Sequence, residues 1–248
     1  MPRPDLPVRP QPFAAPRQRG ISVVEIALML LILALTLGVV FKGQEMIFGA
    51  RSKAMISQTE QVKVAYLGFQ NRFRALPGDY REAPTVIPGV VYHGDGSGRI
   101  DLFGTATGPN GVAEEDMLVW DHLSKAGFYP GSFPYQTSNP QGAIPKNIFG
   151  GYVALAFDLD YGNPAAPQPP KRHLVKTGNQ VPVQFLAEMD LKIDDGNALR
   201  GGFQFSTHAY WGANPVGPPS AAGCADTAGN WRTAAATPPT NCGAASLM

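Results

Sequence analysis

The chain has 248 residues, with 20 Lys+Arg against 19 Asp+Glu and a formal charge of +1. That length suits one or two domains with a sizeable core, and the near-zero balance excludes the strongly basic face of a nucleic-acid-binding domain. Two cysteines exclude a multi-Cys zinc module or a dense disulfide scaffold.

Residues 1–20 hold six prolines, four arginines (Arg3, Arg9, Arg17, Arg19) and one acid, Asp5. Proline at that density forbids a helix. From Ile21 to Phe41 the sequence is apolar except for Glu25. Twenty-one residues at 1.5 Å each span roughly 30 Å, about one bilayer core. With the basic residues in front of the span, the positive-inside rule leaves the N-terminus cytoplasmic and exports the rest. The run is too long for a secretory signal, whose apolar region is about 7–15 residues, and no small-residue cleavage site follows it. A plain signal anchor fits the length and leaves Glu25 unexplained, since a carboxylate in a membrane helix costs roughly 2.5–3.5 kcal/mol and marks a functional position.

The order Arg19-Gly20-Ile21-Ser22-Val23-Val24-Glu25, followed by the apolar run, resembles the processing site of type IV prepilins and type II secretion pseudopilins. The resemblance implies that a membrane prepilin peptidase cleaves between Gly20 and Ile21 and that Ile21 is N-methylated. It also implies that Glu25 sets axial register against the terminal amine of a neighbouring subunit. A long leader and Ile as the first mature residue depart from the short-leader pilins.

Beyond Phe41 no proline occurs until Pro77. Ile47, Ala50, Ala54, Gln58, Val62, Ala65, Phe69 and Phe73 advance by three or four residues, one helical face, with Arg51, Lys53, Glu60, Lys63 and Arg72 opposite. We therefore expect one helix from about Ser22 to Arg74, in which 21–41 spans the membrane or forms a filament core and 42–75 continues as an amphipathic helix. Gly38, Gly43 and Gly49 are its weak points, read either as sites of close helix packing or as a stretch that bends on assembly.

Residues 76–248 read as an exported globular domain rich in Gly and Pro. Leu76-Pro77-Gly78-Asp79 stops the helix, and Pro84, Pro88 and Gly89 keep the next segment irregular. Val112–Ala126 reads as a short amphipathic helix with Ala113, Met117, Trp120 and Leu123 on one face and Glu114, Glu115 and Asp116 at its N-terminal end. Tyr152–Phe157, Val183–Ile193 and Gly202–Ala209 read as strands, Pro164–Pro170 as an exposed loop, and the tail after Gly212 as loop pinned only by its cysteines. A second set of matches is similar to a subgroup of the prepilin-like proteins: Leu76 to Asp79, Asp95-Gly96, Trp120/Leu123/Ala126/Gly127 and Lys192 to Gly196. The fold implied is α+β, a long N-terminal helix packed on a small antiparallel sheet with a loop-rich C-terminal region.

Cys224 and Cys242, exported to an oxidising compartment, are expected to pair. That pairing resembles the C-terminal disulfide loop of pilins and would stabilise by about 3 kcal/mol. His93-Gly94-Asp95-Gly96-Ser97-Gly98-Arg99-Ile100-Asp101 loosely resembles a calcium loop but lacks its full ligand order and distal Glu, and a hairpin turn is the cheaper account. Asp194-Asp195-Gly196 is likewise a turn signal. If calcium binds, Asp95, Asp101, Asp194 and Asp195 are the candidate ligands; no other cofactor is expected. His93, His122, His173 and His208 show no metal spacing, and nucleophile-elbow and phosphate-loop motifs are absent, so we expect no enzyme.

The expectation is a structural subunit of a type IV pilus or type II secretion pseudopilus. Its partners would be the peptidase, other subunits of its kind, and an inner-membrane assembly platform with its ATPase. The chain would sit in the bacterial inner membrane with its domain periplasmic, then in the filament. A minor, tip or initiating subunit is the alternative within the family, and a monomeric membrane-anchored periplasmic binding domain the alternative outside it.

Overall fold

A computed structural model describes residues 20–102, 106–108, 111–136, 142–163, 167, 169–209 and 217–248. The leader through Arg19, most of the Pro164–Pro170 loop and residues 210–216 of the tail lie outside the described residues. The chain divides into two units, Met1–Met46 and Ile47–Met248.

In the first unit the dominant element is the start of α1, which runs Val23–Phe73 over 51 residues. Every residue from 20 to 42 is exposed, and the segment is long and apolar enough to cross a membrane. Gly38 and Gly43 lie within unbroken helix, and a Cβ added at either would meet nothing within 4 Å.

In the second unit the buried stripe of α1 is Ser52, Met55, Thr59, Val62, Ala65, Tyr66 and Phe69. From Val62 onward this is the expected face. Before Val62 the expected stripe is out of phase: Ile47 is 56% exposed, and Ala50 and Ala54 are exposed. The buried positions there include a serine and a threonine, which hydropathy spacing passes over. Thr59 is admitted because its hydroxyl donates to the Met55 carbonyl at 3.1 Å, satisfying the polar group within the helix. Arg74, with φ 55°, then turns the chain out of the helix just ahead of Leu76.

Pro84 does not leave its segment irregular; it sits in a single helical turn, α2 (Ala83–Val86), near whose N-terminus proline is tolerated. Val112 and Ala113 belong to a small hairpin, β1 (Ala106–Gly108) paired with β2 (Gly111–Ala113), and not to a helix. The helix that follows, α3, covers Glu115–Lys125, and all its residues from Glu115 to Leu123 are buried. It is therefore covered on every side and not amphipathic. The side chains of Glu115, Asp121 and His122 turn into loops whose backbone they satisfy.

The main sheet is antiparallel with order β3-β4-β6-β5. Its first two strands are β3 (Ala154–Asp158) and β4 (Arg172–Lys176), with Leu155 opposite Val175. Val183–Ile193, expected as a strand, is helix α4. Both periods are present in its sequence, Val183/Phe185/Ala187/Met189 at two and Val183/Leu186/Met189/Ile193 at three to four. Gln184, Leu186, Ala187, Glu188, Met189, Leu191 and Lys192 are good helix formers, and they decide for the helix. The choice leaves Leu191 72% exposed.

β5 is Phe203–Phe205. The tail is also more ordered than expected: α5 covers Ala221–Cys224, and β6, Ala244–Leu247, is an inner strand between β4 and β5. Cys224 and Cys242 form the expected disulfide, with Cα atoms 5.8 Å apart. Among the described residues two large apolar cores result, beside smaller clusters. One gathers Val62, Phe69, Trp120, Leu123, Leu155 and Val175, the other Met55, Leu186, Met189, Phe203, Phe205 and Trp231.

Candidate functional site

Two groups of residues carry the chemistry the sequence suggests, and each is described within its own unit. In the first unit, Ser22 caps α1. Its hydroxyl accepts the Val24 N–H at 3.3 Å, and its carbonyl accepts the N–H groups of Glu25 and Ile26 at 3.0 and 3.2 Å, as an N-cap residue does. Gly20 is exposed and Ile21 is 68% exposed. Glu25 lies exposed in the first helical turn, where the helix dipole favours an anion. Around it Val24, Leu28 and Met29 are 69%, 55% and 58% exposed.

In the second unit the Leu76–Asp79 motif and the Gly94–Asp101 loop form one object. Gly78, with φ +88°, is clamped against α3: an added Cβ would lie 2.5 Å from the Glu115 carbonyl oxygen and 2.7 Å from Val119. Gly94 is equally constrained, its added Cβ falling 2.2 Å from the Asp79 Cα. Both positions therefore require glycine. The Asp79 carboxylate accepts the N–H groups of Ser97 and Gly98 at 2.9 and 2.8 Å. From the other side the Glu115 carboxylate accepts those of Asp95 and Asp101 at 3.1 and 3.0 Å. His122, fully buried, accepts the Gly78 N–H on Nδ1 at 3.0 Å and meets the Tyr92 carbonyl with Nε2 at 3.1 Å. Its ring stacks on Phe69, 6.2 Å between centroids and 9° between planes. In the neutral tautomer with the proton on Nε2 both bonds are made.

Burial raises the Asp79 carboxyl, against the pull of the Gly98 and Ser97 N–H groups, and the neighbouring Asp95 adds to the rise. Burial pushes Glu115 up to about 8, with Asp79 and Asp95 adding repulsion. At Asp95 burial works upward too, but the bonds from Ser97, the contact with Asp79 and the charge of Arg81 bring it below the usual range. Burial also drives His122 down to about 4, which keeps it neutral.

Of the four candidate calcium ligands, Asp95 falls in a cluster with Asp79 and Glu115, their carboxylate oxygens within 4.8 Å of one another. Asp101 is not part of that oxygen cluster; it contributes its backbone N–H to Glu115. Asp194 and Asp195 group with Asp190. Among the described residues no strand directly flanks the loop at 94–101, so the hairpin account finds no support there, and the turn at 194–196 follows α4 and joins no pair of strands.

Asp190 accepts the Trp231 indole N–H at 2.7 Å and the Gly196 N–H at 3.2 Å, and burial pushes it up to about 6. Asp194 accepts the Phe203 N–H at 2.8 Å. Either acidic group has enough oxygens to hold a cation, but backbone and indole N–H groups already engage Asp79, Glu115, Asp190 and Asp194. What both do in the structure is clip loops. Asp79, Glu115 and Asp190 were not among the sequence candidates. The signal for Asp79 and Glu115 was the pairing of the Leu-Pro-Gly-Asp motif with the Gly-Asp-Gly loop, each holding a glycine that a close approach explains.

Comparison with known protein families, characterised proteins and solved structures yields no match for this chain.

Proposed function

We propose that the chain is a filament subunit of the type IV pilin or type II secretion pseudopilin kind, made as a precursor and polymerised through the N-terminal part of α1. The observation that carries this reading is the run of exposed side chains from residue 20 to residue 42 with Glu25 among them. An exposed apolar surface of that extent needs lipid or other protein around it. Within either, the Glu25 carboxylate needs a cation. Cleavage after Gly20 makes one, because it converts the Ile21 nitrogen into an amine that stays positive after methylation. In a stack of subunits, that amine and the Glu25 of a neighbour neutralise each other and fix the axial step. Orientation with the leader cytoplasmic and the domain periplasmic follows from the four arginines ahead of the span.

The reading is tested by expressing the full chain with a prepilin peptidase and sequencing the N-terminus of the product. Ile21 as the first residue supports it; an intact leader, or cleavage elsewhere, overturns it. Glu25→Ala is expected to be cleaved at the same bond yet to yield at least about tenfold fewer filaments, consistent with the roughly 3–5 kcal/mol at stake when a buried pair loses one member. Normal filament yield from that variant would remove Glu25 from its role.

A further inference from the structure

Of the four strands in the main sheet, β6 has the poorest sequence for an inner position. Its residues are Ala244, Ala245, Ser246 and Leu247, and alanine has little intrinsic preference for a strand. Leu247 is its one large side chain and is only half-buried. Yet β6 pairs on both sides, with Leu174–Lys176 of β4 and with Phe203–Phe205 of β5. It also serves two clusters, Ala244 beside Phe203 and Phe205, Ala245 and Leu247 beside Tyr161 and Leu174.

The contacts that seat β6 are concentrated just ahead of it. Cys242 exchanges both backbone hydrogen bonds with Val181, at 2.9 and 3.1 Å. The Thr177 hydroxyl accepts the Ala244 N–H at 2.9 Å, and the Ala244 carbonyl accepts the Thr177 N–H at 2.8 Å. Between Cys242 and the strand lies only Gly243. The bond from Cys242 to Cys224 therefore confines β6 to a few ångströms of its slot, supplying by tethering what its side chains do not supply by burial.

We infer that the Cys224–Cys242 disulfide is a redox latch on the sheet. Oxidised, it holds β6 between β4 and β5. When a dithiol reductant gives up two electrons and two protons, the S–S bond becomes two thiols and the reductant becomes a disulfide. β6 then leaves its slot, while α3 and the β3–β4 pair keep their structure. The sheet is complete only in an oxidising compartment. The inference does not depend on the filament reading.

The test is hydrogen exchange followed by mass spectrometry on the full chain in detergent micelles, before and after reduction under native conditions, and on the Cys224→Ser, Cys242→Ser double variant. Expected for both reduced protein and variant is a loss of protection of about tenfold or more in peptides covering 203–205 and 244–247, with 154–158 in β3 and 117–123 in α3 unchanged. Peptides covering 203–205 and 244–247 that stay within about threefold of the oxidised protein in either sample would overturn the latch. An equal loss at 117–123 would overturn it too, since the bond would then hold the whole domain and not one strand.

Discussion

Glu115 shows how a single buried carboxyl can run against the usual direction of acid stability. In the unfolded chain it titrates near 4.5, and in the folded protein burial pushes it up to about 8. The folded state thus holds the proton more tightly. Its favourable contribution is complete below pH 4.5 and is lost as the pH rises through about 8. Replacing it with Gln removes the titration, but turns an amide N–H₂ toward a backbone N–H and costs about 1–3 kcal/mol at every pH. Glu115→Gln is accordingly expected to lower stability at pH 5 and to flatten its decline between pH 5 and 8, measured as unfolding free energy against pH. A variant curve parallel to that of the parent would show that Glu115 is already ionised across this range. Asp79 is raised in the same direction, so a shallower residual slope is expected to remain.

At the scale of the element, the phase of α1 is the point on which spacing and structure part. Met55 is 2% exposed and Ile47 56% exposed. Met55→Ala is expected to cost about 2–4 kcal/mol, while Ile47→Ala stays within about 0.5 kcal/mol in the isolated subunit; chemical denaturation of the two variants decides between the two phases. Equal losses would restore the stripe that the spacing suggested. α4 makes a related point. Its strand and helix periods coexist in one sequence, and the exposed Leu191 is the residue a strand would have buried. The acidic turn that follows α4 is bound into the structure by Asp194, which accepts the Phe203 N–H at the start of β5.

At the scale of the whole molecule, Lys176 ties parts of the second unit that are far apart in sequence. It is 1% exposed and pairs with Asp158 and, at 3.1 Å, with Asp160. Asp160 also accepts the hydroxyl protons of Ser206 and Thr207, at 2.7 and 2.8 Å, and the Thr207 N–H at 3.0 Å. Burial works to raise Asp160, but Lys176 and these donors hold it down at about 2. Its contribution is present above pH 3.8, and is lost as the pH falls through about 2. Lys176→Met leaves two carboxylates facing each other without their cation and is expected to cost about 3–5 kcal/mol. A melting temperature unchanged by the substitution would mean that the network contributes nothing net.

The membrane-length helix, its single carboxylate and the cysteine pair were legible, because each rests on local composition or on which residue types are present. Leu-Pro-Gly-Asp and Gly-Asp-Gly were visible as separate motifs. That they form one socket was not, because Gly78, Gly94, Asp79 and Glu115 meet only through the packing of α3 against the end of α1. The buried charges of α3 look like a solvated helix start until the loop they hold is in place. The sequence by itself determined that this chain has an apolar helical segment long enough to cross a membrane, since hydropathy and proline spacing act residue by residue. Only the tertiary structure decided that Ala244–Leu247 lies inside the sheet and that Val183–Ile193 is a helix. A four-residue alanine-rich strand and a segment with two periods take their conformation from the neighbours that satisfy their backbone and cover their apolar faces.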